Sequence, residues 1–427
     1  MPICSAEIPE RNLLTVISCR SFWGLLLTAS AVFGQPALRE PEERVIHYHS
    51  SGDLADPVSI LGNRMGTGGV KLEFEPAHGY LVSLLKLLQV PVSSQGLVFS
   101  KTSLLTDLVG PATPRAVYFN DNVYISWVPG AGVIDVSAVD PNKGPIFYTL
   151  DQQPASPPRF IRPNECMQCH IGPRTLGVPG HLLRSVVTAA DGYPLHQVDG
   201  FINGHGSPFK DRWGGWYVSG TLAGDVHRGR SLLVDRDPHL DASRYLSPES
   251  DIVALMVLAH QTKMHNLITR ANYEAHFALD PGMSAQNTAW AHQRIANAAE
   301  PLIEYMLFRD EAALHGPVSG ASRFAEEFQQ RGPRDSRGRS LHELDLQTRL
   351  MRYPCSYLIY SPAFDALPAV MKNYLWRRLS KILRGDDQSK AYATMSRRDR
   401  EAVLSILRET KPEFAAWLSQ TREESVR

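Results

Sequence analysis

Little in this chain of 427 residues directs it toward a charged partner or into a bilayer. Lys plus Arg and Asp plus Glu number 44 each, so no net charge steers the whole molecule to nucleic acid or to an anionic membrane. Beyond the first 34 residues no segment stays apolar for the roughly 18 residues that a spanning helix needs, so the mature chain should carry no transmembrane segment. No internal repeat occurs, which excludes a solenoid. Cysteine is scarce: Cys4, Cys19, Cys166, Cys169 and Cys355 are the only five. The first two fall in a candidate targeting segment, and the remaining odd number in an oxidising compartment argues against a disulfide framework. The 43% hydrophobic and 21% charged content is that of a globular protein with a core large enough to need no staples.

Residues 1–34 read as a signal peptide. Arg11 and Arg20 precede an apolar run from Phe22 to Phe33, and Val32 and Gly34 suit cleavage before Gln35. The expected location is therefore periplasmic or secreted. A lipoprotein-type box at Val16 to Cys19 is a poorer parse, because the apolar stretch before it is too short.

The rest of the chain predicts an α+β fold in three parts. Over 35–155 the runs Ala116–Phe119, Val123–Val128, Val133–Val139 and Ile146–Leu150 alternate with Asn, Asp, Gly and Pro clusters, which is the pattern of an antiparallel meander. Tyr80–Val90 reads as a helix stopped by Pro91. Residues 156–247 are loop-rich and dense in Gly, His and Arg, and loops this long usually wrap around something. The part over 248–427 is helical. Its first helix is expected to be capped at Ser247 and to run to about residue 278, with others at 284–314, 320–330, 340–352, 365–384, 396–409 and 411–420. We expect the parts to form one intertwined unit.

The chemistry lies in Cys166-Met167-Gln168-Cys169-His170, the c-type haem attachment pattern. Two thiols must reach the two vinyl groups of one porphyrin from a single turn, and the next imidazole must face the iron from the same side. The residue usage of this chain gives a chance expectation on the order of 0.002 occurrences. A redox dithiol normally opens a helix after an apolar strand, and Arg162-Pro163-Asn164-Glu165 is no such strand. A zinc site from Cys166, Cys169, Cys355 and one histidine is the other competing reading. The motif therefore predicts one covalent haem c on Cys166 and Cys169, with His170 as proximal iron ligand.

No methionine occurs between Met167 and Met256, so a sulfur ligand close downstream is missing. Loop histidines His181, His196, His205, His227 and His239 fill that interval, and His260, Met264 and His265 follow on the first long helix. As distal ligand His205 ranks first, because Gly204 and Gly206 beside it let backbone approach a flat cofactor. His227 and Met264 rank next, and an iron with no protein ligand on that side is the remaining option. Arg159, Arg162, Arg174 and Arg184 are candidate propionate partners. Trp213, Trp216 and Tyr217 suit either a haem wall or ordinary core.

At Cys166–His170 the chain resembles c-type cytochromes. Over CMQCHIGPRTLGVPGHLLRSV, SPFKDRWGGWYVSGT and SDIVALMVLAHQTKMHNLITRANYEAH it is similar to a group of large exported bacterial cytochrome-like proteins. The resemblance implies haem and export but no particular reaction. The mid-chain motif and the missing methionine depart from small electron carriers. Electron transfer with a redox partner protein is the leading expectation. A haem-dependent oxidoreductase acting on a small-molecule oxidant at an open iron, or a haem sensor, is the alternative.

Overall fold

Alternating Val, Ile, Tyr and Trp in the first third build a six-stranded antiparallel sheet in simple sequence order. Its strands are β1 (Gly96–Val98), β2 (Arg115–Phe119), β3 (Val123–Trp127), β4 (Val133–Asp140), β5 (Gly144–Asp151) and the short edge strand β6 (Phe160–Ile161). This is a computed structural model, and it describes residues 40–50, 52–103, 105–154, 157–195, 201–232, 235–284, 288–393 and 395–426. The signal peptide reading and His196 lie outside the described residues.

The helices are α1 (Glu40–Ile46), α2 (Pro57–Gly66), α3 (Leu81–Leu87), α4 (Met167–His170), α5 (Ile252–Leu279), α6 (Pro281–Ser284), α7 (Thr288–Met306), α8 (Phe324–Gln329), α9 (Pro362–Asp365), α10 (Ala369–Arg384), α11 (Arg397–Thr410) and α12 (Pro412–Val426). The fold is α+β, with the antiparallel sheet ahead of the helices. Between them run only two-residue strands: β7 (Arg184–Ser185), β8 (Phe201–Ile202), β9 (Tyr217–Val218), β10 (Thr221–Leu222) and β11 (Arg230–Ser231). β7 pairs β8, β9 pairs β11, and β10 pairs the later β12 (Val318–Ser319). Among the described residues no helix is long and apolar enough to cross a membrane.

The expected meander is present with ends shifted by a residue or two. Three helical expectations need correction. The long helix starts after Asp251, not Ser247, because the Asp251 carboxylate accepts from the Val253 and Ala254 amides at 2.8 and 3.1 Å. The helix expected over 284–314 ends at Met306, just before the left-handed residues Phe308 and Asp310. Residues 340–352 are not helical. The Asp345 carboxylate there accepts from the Gln347 and Thr348 amides at 2.9 and 2.6 Å, and so folds the segment into a turn.

The helix α5 joins the two halves. It is buried nearly all round, as a helix without a polar face must be. Its sheet side donates from Asn272 Nδ2 to Asn142 O at 2.6 Å and from the Tyr273 hydroxyl to Lys143 O at 2.8 Å. Its other sides share a core with α7, α10 and α11. All described residues fall in one compact unit.

Cross-strand pairing sets two rows of side chains on the sheet. Tyr124 pairs Ser137, which pairs Phe147, and Ser126 pairs Asp135, which pairs Thr149, which pairs Ile161. Directly opposed residues share a face, so these side chains line one surface. β6 leads from its edge straight into the cysteine motif.

Candidate haem site

The motif is a single tight turn. Asn164–Cys166 form one turn of 3-10 helix, and α4 continues it through His170. Met167, between the two cysteines, points inward. It is buried in the sheet core, with its Sδ 3.7 Å from the Tyr48 hydroxyl. Beyond that inward anchor Gln168 and Cys169 turn outward. Cys166 is half-buried on the same core, Cys169 is exposed, and both are free thiols.

His170 is held by one glycine at two points. Its Nδ1 lies 2.9 Å from the Gly180 carbonyl, and the Gly180 amide donates to the His170 carbonyl at 2.8 Å. A carbonyl only accepts, so Nδ1 carries the proton and Nε2 keeps its lone pair. Nε2 has no protein partner among the described residues. The ring rests on Phe147 with centroids 4.3 Å apart. Burial, more than any neighbouring charge, holds its pKa below the ordinary range, so the ring is the neutral imidazole that a metal requires. A ligating histidine typically commits its second nitrogen to such a carbonyl.

Gly180 is required by close approach. A Cβ there would sit 2.6 Å from Asn266 Oδ1 and 2.8 Å from Thr175 Cβ. Asn266, buried on α5, clamps the next residue: it accepts from the His181 amide and donates to the His181 carbonyl, both at 2.8 Å. Loop 172–181 is thereby pinned to the central helix. His181 Nε2 meets Ser137 Oγ at 2.8 Å, and its Nδ1 is buried without a partner. His181 follows the carbonyl that takes His170 Nδ1, and its ring packs on Tyr124 and Phe147.

The four arginines separate. Arg162 is committed to the Tyr48 and Ser50 carbonyls, and Arg159 is exposed. Arg184 is half-buried, its Nε without a partner, and its pKa is lowered by burial and then by the Arg174 charge, with Cys169 acting in the opposite sense. Neither Arg174 nor Arg184 pairs with a carboxylate among the described residues; Arg184 interacts with Cys169, and the exposed Arg174 with Arg184. Trp216 donates from Nε1 to the Arg184 carbonyl at 2.8 Å and so positions that strand. Trp213, Trp216 and Tyr217 are all buried core. Just beyond Arg184, Val187 and Leu195 pair through their backbones and expose large apolar side chains.

No protein-family model, no curated protein and no solved structure matches this chain. The residues themselves therefore carry the reading. Two thiols and an imidazole with a free Nε2 share one turn near Arg184, which has no carboxylate partner among the described residues, and this donor set fits a covalent haem. The competing readings have less support. Burial pushes the Cys166 thiol up to about 11, whereas a redox dithiol needs a lowered one. Cys355 is buried in the helical core, separate from the cluster that takes in Cys166. Among the described residues no three of His, Cys, Asp and Glu gather to hold a metal ion.

The candidate distal ligands are not brought to this turn. His205 is buried in a stack with His260, Tyr305 and Phe308. Its Nε2 lies 3.3 Å from the Arg309 carbonyl, so that nitrogen is the donor, and Nδ1 accepts from His260 Nδ1 at 2.9 Å. No lone pair is left on His205 for iron. His227 packs against Trp213 with rings 5.3 Å apart, and Met264 is fully buried in the helical core.

These buried imidazoles carry an acid-stability prediction. Burial lowers His181 and His260 well below 6.5, His205 to about 3 and His265 to about 4. A depressed histidine keeps its stability contribution above the unfolded pKa and loses it as pH falls toward the folded one. Glu311, raised by burial to about 7, acts in the opposite sense between 4.5 and 7, as does Asp56, also raised by burial, but the lowered histidines outnumber them. The guanidinium unfolding midpoint should therefore drop clearly between about pH 6.5 and about pH 4.5. An unchanged midpoint would show that these rings are not buried neutral.

Proposed function

We propose that the chain is an exported, periplasmic or secreted c-type cytochrome that transfers electrons through one covalently attached haem. The observation that carries this reading is His170, with Nδ1 committed to Gly180 and Nε2 free, in the same turn as Cys166 and Cys169. Each thiol would add across a vinyl group, its sulfur bonding one carbon and its proton going to the other, with no net oxidation. A bound haem supplies a one-electron iron couple whose potential follows axial ligation and burial. Gly180 and Phe147 fix the orientation of the imidazole, and Asn266 keeps Gly180 in place. Arg174 and Arg184 would neutralise the propionates. Ile161, in the strand that leads into the turn, and Val187 and Leu195 expose apolar surface that could meet a redox partner protein.

The commitment of both His205 nitrogens favours a second reading, an iron open to a small molecule and so a haem-dependent oxidoreductase or sensor. Carbon monoxide and cyanide separate the two. A low-spin haem whose spectrum ignores both supports electron transfer. A high-spin haem that binds them supports the second reading. A chain that carries no haem after passage through a cytochrome maturation system contradicts both.

A further inference from the structure

Tyr124 has two hydrogen-bond partners, Gln261 and His265, and the direction toward Gln261 is fixed. Gln261 donates from Nε2 to its phenol oxygen at 2.9 Å and to the Asn120 carbonyl at 2.7 Å. Gln261 cannot flip, because the Asn120 carbonyl only accepts, and its Oε1 then accepts from the Tyr357 hydroxyl at 2.6 Å. The phenol oxygen is thus an acceptor toward Gln261, and its remaining partner is His265 Nδ1, 2.9 Å away, to which it donates when His265 is the Nε2–H tautomer. On its other side the Tyr124 ring lies 4.0 Å from His181, His181 lies 5.7 Å from Phe147, and Phe147 lies 4.3 Å from His170, centroid to centroid. A row of ring contacts therefore runs from the phenol to the haem ligand candidate.

We propose that Tyr124 is a redox-active tyrosine that gives one electron toward the haem along this row and its proton to His265. The inference rests on the cytochrome assignment in its second reading, an iron open to a small molecule. When hydrogen peroxide is the oxidant, it takes two electrons and two protons to become two waters. One electron would come from ferrous haem, which becomes ferric, and the other from Tyr124, whose O–H bond breaks to leave a neutral phenoxyl radical. The phenolic proton moves along the existing hydrogen bond to Nδ1 and makes His265 an imidazolium; the protons for water come from solvent. Burial raises the Tyr124 pKa far out of reach, so the phenol does not ionise beforehand and electron and proton leave together. Although burial lowers His265 to about 4, an oxidised phenol is a much stronger acid than that imidazolium, so the transfer is still downhill. Both rings are enclosed, which keeps the radical from water and gives the protein a second one-electron store.

The test uses the haem-loaded chain, checked first by haem staining after denaturing electrophoresis. Hydrogen peroxide is added and the sample is frozen for electron paramagnetic resonance. The expected result is an organic radical whose hyperfine pattern changes with ring-deuterated tyrosine and is lost in Tyr124→Phe. In the unsubstituted chain, nitrogen-15 histidine labelling should reveal coupling to one imidazole. A radical that persists in Tyr124→Phe, or no radical in a chain that stains for haem, overturns the proposal and leaves the cytochrome reading intact. If the chain does not stain, the cytochrome reading fails on its own. A photogenerated ruthenium(III) complex then serves as oxidant, and absence of a Tyr124 radical there overturns the tyrosine assignment too.

Discussion

A Cys166→Ala, Cys169→Ala double variant should emerge from a cytochrome maturation system with no haem that survives denaturation. Thioether carbon–sulfur bonds are the only attachment that unfolding cannot release, and the chain offers two thiols in a reach that matches two vinyl groups. The single variants are more informative still. Each should retain haem through one bond, with one vinyl group left conjugated, and the pyridine haemochrome band should lie to the red of the parent. Haem that stays covalent in the double variant would move the attachment elsewhere. Single variants with the spectrum of the parent would mean that the second thiol is not bonded.

The second large effect is expected at Asn266, which touches no haem in the proposed arrangement. Asn266→Ala strands the amide and the carbonyl of His181 in a buried site. Each such group costs about 1–3 kcal/mol, so the variant should lose roughly 2–6 kcal/mol of stability before any cavity term. That is a large share of the roughly 5–15 kcal/mol that a domain has. The loop carrying Gly180 is released at the same time, and with it the carbonyl that orients His170. Denaturant unfolding of the haem-free chain reads the first effect, and the haem spectrum reads the second. A variant as stable as the parent would show that the amide clamp is not formed.

The sheet was legible because strand period and turn chemistry agree: Asn120-Asp121-Asn122 and Asp140–Gly144 separate runs that are apolar at every second position. Helix ends were less so, since Asp251 outcompetes Ser247 only once its carboxylate is brought to the free amides of α5. The turn over 340–352 has helical composition, and a local Asp345 contact overrides it. For the site, the donors Cys166, Cys169 and His170 were legible because they are contiguous. Their supports were not. Phe147 arrives through strand pairing, Gly180 through a loop, and Asn266 from a helix some 85 residues further on. The glycines around His205 do signal close backbone approach, but to other groups. A Cβ at Gly204 would lie 3.1 Å from the Tyr305 hydroxyl, and one at Gly206 would lie 2.8 Å from the Asp310 carbonyl. The long interval between Met167 and Met256 gave no hint that the histidines within it pair with α5 residues.

The most direct measurement is the intact mass of the exported, purified chain under denaturing conditions, followed by mass mapping of the peptide that spans residues 160–184. A gain of one haem on that peptide is the expected result. An unmodified mass, or zinc released from the protein in its place, would contradict the assignment.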